Sequence, residues 1–396
     1  MPPPLLWVWL AFVFLLGAAV GSFINACAAR LPYEKSILWP GSHCFRCFQP
    51  IRWYDNVPLL SYWLLGGRCR RCRAPFSVRY FLVELFTALA FAGLFYADVV
   101  SNLPHIPLLA ERHEDIVKWG MVPWRAWVVF GWHATLFGFL LTASLCDLEH
   151  MEIPLSLTVT GTLVGLVGSA FLAWPFPATE AAERKSAAPP PRLAAQGTGG
   201  PERGRTAELP APPPQFGLYP WPVWHPKELP GWLPPGSPQL GLATGLAGAL
   251  AGMLVLRAVR FLFGLGRGLE AMGLGDADLM MMAGAFLGWQ PIITAFLLSI
   301  LPGLMFGLGQ LALRGTQEMP FGPSLAVGVM LTVLVWPWVA GTEGRSGFAG
   351  LFFSAEALIG LTVFGLVALF LAALLLRFLR GPAAAAEPEE TAKREA

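Results

Sequence analysis

The chain has 396 residues, 55% hydrophobic and 13% charged, with a formal net charge of +2 and a mean hydropathy of +0.56. A soluble domain carries about 25% charged residues, and 16 Trp and 28 Phe add apolar bulk that an aqueous surface would not absorb. This excludes an ordinary soluble enzyme, a disordered chain and a disulfide-dense secreted module, and the near-balanced charge leaves no nucleic-acid footprint. What remains is an all-α polytopic membrane protein.

A membrane helix needs about 20 mainly apolar residues. In chain order the candidates are Leu5–Ala29, Phe81–Ala97, Ala126–Cys146, Leu155–Thr179 and Gly241–Leu256. The run Ala277–Leu313 is too long for one span, and Pro291 after Gly288-Trp289-Gln290 is expected to divide it. Ser324–Gly341 and Ala357–Leu376 complete a count of about nine transmembrane helices. The first run has no basic residue before Leu5 and is long for the core of a signal peptide, so it reads as a retained helix.

Lys and Arg in short loops mark the cytoplasmic side. Residues 30–79 carry Arg30, Lys35, Arg46, Arg52, Arg68, Arg70, Arg71, Arg73 and Arg79 against Glu34 and Asp55. That loop is placed inside and the N-terminus outside. Alternation then puts residues 98–124 outside, and Asp147, Arg257, Arg260, Arg267, Arg314, Arg377 and Arg380 on the cytoplasmic side. Residues 175–238 hold nearly half of the 36 prolines and read as an extended external loop. Its Phe216, Tyr219, Trp221, Trp224 and Trp232 are suited to the membrane interface. Three units follow. Residues 1–124 hold N-terminal helices and the basic loop, 125–341 a membrane core interrupted by the Pro-rich loop, and 342–396 a last helix and solvated tail.

Within the basic loop, Cys44-Phe-Arg-Cys47 precedes Cys69-Arg-Arg-Cys72. Each Cys-x2-Cys turn presents two thiolates to one ion, so the pattern suits a closed, structural four-thiolate zinc knot, with redox dithiols or unligated thiols as the alternatives. Cys27 and Cys146, at the ends of apolar runs, read as buried inert thiols.

Two carboxylates lie at helix ends: Asp147 before Leu148-Glu149-His150-Met151-Glu152-Ile153-Pro154, and Asp276 in Gly273-Leu274-Gly275-Asp276-Ala277-Asp278. Ionisable groups at membrane depth are costly and therefore candidates for function. Close together, one stays protonated as a general acid while the other activates water, which is chemistry for peptide hydrolysis. The alternative is a pair of interfacial caps. His133 reads as hydrogen-bonded between helices, His150 as solvent-facing, and Glu84 as functional or bonded to a polar partner. Gly264-Leu-Gly266-Arg-Gly268 follows no strand and is no dinucleotide loop.

Taken in order, these residues resemble the type IV prepilin peptidases, bifunctional leader peptidases and N-methyltransferases of the GxGD aspartyl type. The likeness runs from Gly21-Ser22-Phe23-Ile24-Asn25 and Arg30-Leu31-Pro32 through Pro40-Gly-Ser42-His43-Cys44, Asn56-Val-Pro58-Leu-Leu-Ser61-Tyr62, Gly67-Arg68-Cys69, Tyr80 and Glu84-Leu85. It continues with Asp147, Ile153-Pro154, Met272-Gly-Leu-Gly-Asp276 and Pro320-Phe-Gly-Pro323. The resemblance implies that Asp147 and Asp276 are catalytic. It implies cleavage of prepilin and pseudopilin leaders after a Gly, at the cytoplasmic face of the bacterial inner membrane. N-methylation of the new terminus from S-adenosylmethionine would follow, with the cysteine loop serving methylation and binding zinc. The chain departs from the family at Asp278, where Lys is usual, at Leu155, where Asp is common, and in the apparent insertions at 98–124 and 175–238. Asp278 is expected either to repel charge on Asp276 or to point to headgroup water and be inert. The competing class is a non-enzymatic transporter using its buried carboxylates for ions.

Overall fold

In hydrocarbon, an uncharged run satisfies its backbone polar groups only by bonding within the segment, so helices follow from composition. The computed structural model describes residues 3–37, 39–104, 109, 113–171, 232–233, 237–267, 273–314 and 320–340, with scattered positions between 360 and 375. Among them every named element is helical, and only two isolated β-bridges occur. The helices are α1 (Pro4–Arg30), α2 (Leu60–Leu64), α3 (Arg79–Phe95), α4 (His113–Trp119), α5 (Trp124–His150), α6 (Leu155–Phe171), α7 (Pro238–Arg267), α8 (Leu274–Leu287), α9 (Trp289–Arg314) and α10 (Gly322–Ala340).

Nine spans are more than the described residues support. Five helices are long and apolar enough to cross a membrane: Pro4–Tyr33, Arg79–Val100, Trp124–His150, Pro238–Leu265 and Trp289–Gln310. Leu155–Phe171 and Gly322–Trp336 are shorter apolar helices. The run divided at Pro291 yields a short first half: α8 has 14 residues and is about 21 Å long at 1.5 Å per residue, against about 30 Å of hydrocarbon. Composition registers apolarity but not that a helix is enclosed by protein, and α8 is buried from Asp276 almost continuously to Leu287. The break itself falls at Gly288, whose φ of +85° lies in the left-handed region. Pro291 instead occupies the first turn of α9, where its missing N–H has no intrahelical acceptor to lose. The Pro-rich loop, apart from Trp232 and Leu233 and the start of α7, lies outside the described residues, as does part of the last expected span, whose described positions are helical.

Small residues set the closest approaches. Lipid tails give apolar helices little reason to associate, so backbone contact and van der Waals packing must supply it. A Cβ on Gly17 or Gly21 of α1 would stand 2.8 Å from the Cα of Ala88 or Glu84 on α3. Gly248 and Gly252 of α7 meet the carbonyls of Gly284 and Met280 on α8 so closely that any Cβ there would overlap them. Overpacking of this kind costs about 1–3 kcal/mol where neighbours can shift, and here the neighbour is backbone. Gly284→Val is therefore expected to lower the melting temperature in detergent and the yield of folded protein, measured against Gly264→Ala, whose Cβ meets nothing within 4 Å.

The segment after α3 is less of a loop than its sequence suggests. A π-helical turn at Tyr96–Val100 carries Asp98 inward, where its Oδ2 lies 2.7 Å from His133 Nδ1 in a fully buried pair. Helix α4 then closes against α1, and the Trp9 indole donates to the Gly120 carbonyl at 3.1 Å. His133 thus bonds between elements, as its place in an apolar run suggested.

Candidate active site and cysteine knot

Asp147 sits one turn from the end of α5 and Asp276 in the first turn of α8. The two are far apart in sequence, yet their carboxylates lie within reach of each other's charge. Both are buried, with 6% and 7% of their surface exposed, so each meets little water without being sealed off. The link between α5 and α6 brings them together. Helix α5 ends at Met151, which adopts a left-handed φ of +54° while its N–H donates to the Asp147 carbonyl at 2.9 Å. The chain then lays Ile153 on Gly275, where a Cβ would come within 3.0 Å of the Ile153 Cβ. The Ile-Pro pair and the glycine before Asp276 thus fit one another. A larger residue at 275 would lift α8 off the link that positions Asp147.

A third element completes the site. The Gly322 N–H, at the start of α10, donates to Asp147 Oδ2 at 2.8 Å. A Cβ at this glycine would stand 2.7 Å from the same oxygen, so only glycine leaves room for the carboxylate. Pro320-Phe-Gly-Pro323 stood out in the sequence, but nothing in its spacing foretold a hydrogen bond across the bundle. Asp276 lies in the first turn of α8, where the helix N-terminus favours negative charge. Two buried carboxylates that feel each other's charge do not both ionise easily.

Asp278 faces another way. It is partly exposed, and the charge that acts on it is Arg257 of α7. Successive positions two apart on a helix do not share a face. The cation that a lysine would supply from within this segment comes here from a neighbouring helix. Asp278→Lys is accordingly expected to leave the acidic limb of the cleavage pH profile in place, measured with a leader peptide across the active range. A shift of that limb to lower pH would show direct coupling to Asp276.

His150 is partly exposed, and it also makes a contact its sequence did not suggest. It packs edge-on against Tyr33, ring centroids 5.2 Å apart, and next to it Glu149 pairs with Arg79 at the start of α3. These contacts bind the end of α5 to the N-terminal helices.

The four cysteines converge. Their Sγ atoms lie within 4.8 Å of one another, and Cys44 and Cys72 are 3.7 Å apart. Tetrahedral zinc with bonds of about 2.3 Å spaces its sulfurs by about 3.8 Å, so the donor set fits that ion. The two turns are copies in backbone geometry. Cys44 N–H donates to Gln49 O and Cys69 N–H to Ala74 O; Phe48 N–H donates to Cys44 O and Arg73 N–H to Cys69 O. Phe48 and Arg73 share a left-handed φ, +55° and +58°, and the bridges His43–Pro50 and Arg68–Pro75 close the two hairpins. This duplication, hidden by unlike side chains, was legible only as a repeated Cys-x2-Cys with Pro three residues on. The Cys44 thiol is drawn down to about 6 by the backbone N–H groups of Cys47 and then Arg46. Cys72 is pushed up to about 11, burial and the neighbouring thiols outweighing the Ala74 N–H that pulls the other way. Sulfurs packed this closely hold their protons unequally, and a cation among them would let all four ionise. Asp55 and Arg70 make a bidentate pair at 2.6–2.9 Å that ties the intervening turn to the second hairpin. Cys27 and Cys146 are buried thiols, as expected.

Two family models match the chain: the bacterial peptidase A24 N-terminal domain over residues 15–97 and the type IV leader peptidase family over residues 235–308. The chain is 30% identical to the prepilin leader peptidase/N-methyltransferase of Myxococcus xanthus over 325 residues, covering 78% of this chain and 68% of the relative. It is 29% identical to the protein of the same name from Aeromonas salmonicida, over 83% of this chain and 91% of the relative. The Pseudomonas aeruginosa prepilin leader peptidase/N-methyltransferase is also 29% identical, over 82% and 91%. No solved structure matches the chain.

Proposed function

Because the chain belongs to the type IV leader peptidase family, among the prepilin leader peptidase/N-methyltransferases, we propose that it removes the leader of type IV prepilins and pseudopilins and methylates the new N-terminus. The observation that carries the peptidase half is the meeting of Asp147 and Asp276 at one end of the bundle, each buried at a separate helix end, with the Gly322 N–H fixed on Asp147. In this reading the ionised carboxylate takes a proton from water as the water attacks the scissile carbonyl. The protonated carboxylate gives its proton to the leaving amine. No side-chain nucleophile is required. The basic loop and these aspartates lie on the cytoplasmic side of the bacterial inner membrane, where a leader with basic residues is accessible. Lipid surrounds the helices. A transporter would account for buried carboxylates but not for the cysteine knot beside a glycine-framed aspartate.

The methyl group comes from S-adenosylmethionine as co-substrate. The amine lone pair of the trimmed pilin attacks the methyl carbon, the carbon–sulfur pair returns to sulfur, and one proton is released, leaving S-adenosylhomocysteine. Cys44, Cys47, Cys69 and Cys72 would hold zinc with all four thiolates, a closed set of ligands that would order the loop and take no part in proton transfer.

The test is incubation of membranes containing the protein with a synthetic prepilin and labelled S-adenosylmethionine, followed by mass spectrometry of the product. Expected is loss of the leader with one labelled methyl on the new terminal nitrogen. An intact prepilin would overturn the peptidase reading, and a trimmed but unlabelled product the methyltransferase reading.

A further inference from the structure

Between α1, α2, the cysteine knot and the start of α3 lies a cavity of about 180 Å³, lined by neither Asp147 nor Asp276. Asn25, Arg30, Ser61, Tyr62, Phe81 and Glu84 are among its walls. Two of these carry a buried polar atom without a hydrogen-bond partner: Asn25 Oδ1 and Ser61 Oγ. Asn25 is 3% exposed, and its amide group is oriented by donating to the Tyr80 carbonyl at 3.0 Å, which leaves the oxygen free. Buried polar atoms are seldom left unmatched, and a ligand with hydrogen-bond donors would match them.

The rim is held against its own preference. Leu59 has a φ of +65°, unusual for a branched side chain, and its N–H donates to Glu84 Oε2 at 2.8 Å. Strain of this kind persists where surrounding structure imposes it, often at ligand clamps. Tyr62 and Phe81 pack against each other at 5.7 Å and offer ring faces, and Glu84 adds a carboxyl group to the wall. Aromatic walls, unmatched polar atoms and a carboxylate suit a nucleoside carrying a positive centre better than an acyl chain or a peptide. The cavity is also close to the aspartates: Arg79, which immediately precedes Tyr80 and Phe81, pairs with Glu149, two residues past Asp147.

We propose that this cavity is the methyl-donor site, in which Asn25, Ser61 and Glu84 hold the adenosyl sulfonium of S-adenosylmethionine beside the path of the freed pilin terminus. This rests on the methyltransferase reading above. The roles assigned are binding and orientation; the transfer is the balanced one already given, from sulfur to the amine nitrogen with release of one proton.

The experiment measures S-adenosylmethionine binding to the purified full-length protein by calorimetry. It is paired with photolabelling by an azido-adenosyl analogue and peptide mapping, which needs no variant. Expected are labels within residues 22–30 or 55–84, and at least a tenfold loss of affinity in Ser61→Met, which fills the cavity, and in Glu84→Gln, which keeps its shape. Leader cleavage should continue in both variants, with the KM for the donor raised more than kcat is lowered. Donor binding and methylation unchanged in Glu84→Gln, or labels confined to other segments, would overturn the site while leaving the methyltransferase reading intact. Wild-type protein that cleaves but neither binds nor uses the donor would overturn both.

Discussion

Asp147→Asn and Asp276→Asn should each abolish leader cleavage while the protein still inserts, accumulates and melts as the wild type does. A positioned acid or base contributes about 10²–10⁴ in rate, and the two here act as a unit, so either loss should reach the upper part of that range and the double variant should lose little more. Asn is close to Asp in shape and still accepts the Gly322 N–H through its carbonyl, so the fold should not be disturbed. Quantitative cleavage of a synthetic prepilin, set against thermal melting of each variant, checks the prediction. Near-normal cleavage by either variant would remove that residue from the mechanism.

The second large effect concerns the knot. Elemental analysis of purified protein should find about one zinc per chain, as expected of a closed four-thiolate site, and any of Cys44, Cys47, Cys69 or Cys72 replaced by Ser should lower it sharply. Binding by such sites is worth about 10–16 kcal/mol and is largely folding energy. The knot has little else to hold it: its own core comprises Cys44, Cys69 and Ala74, with Cys47, Cys72 and Phe76 packed around them. Phe45, Phe48 and Trp53 are exposed and add little burial. Removal of zinc by a chelator should therefore open residues 40–76 to protease while the helices stay protected, a result read by peptide mapping. Metal-free protein with four freely alkylated thiols and an uncut loop would contradict it.

Sequence by itself determined what depends on composition and on local spacing. Uncharged runs can satisfy their backbone only as helices in lipid, so α1, α3 and α5 were legible to within four residues of their ends, whereas α7 continues past Leu256, through Arg257 and Arg260, to Arg267. Paired Cys-x2-Cys turns carry their chemistry in the spacing, and the four sulfurs do converge. Asp147 and Asp276 stood out because charge is conspicuous in apolar surroundings. Tertiary structure decided what depends on neighbours distant in the chain. Hydropathy does not distinguish a helix facing lipid from one enclosed by protein, and so α8 counted as a span although it is short and buried. A glycine's role depends on what its missing Cβ would strike: Asp147 for Gly322, Ile153 for Gly275 and the Gly284 carbonyl for Gly248. For Asp278, nearness in sequence left open both repulsion of Asp276 and an inert place in headgroup water; in the fold the charge acting on it is that of Arg257. The Asp98–His133 pair, the Gly322 donor and the unmatched oxygens of Asn25 and Ser61 exist only once separate segments are packed, since electrostatic and hydrogen-bonding partners are set by distance in space, which spacing along the chain does not specify.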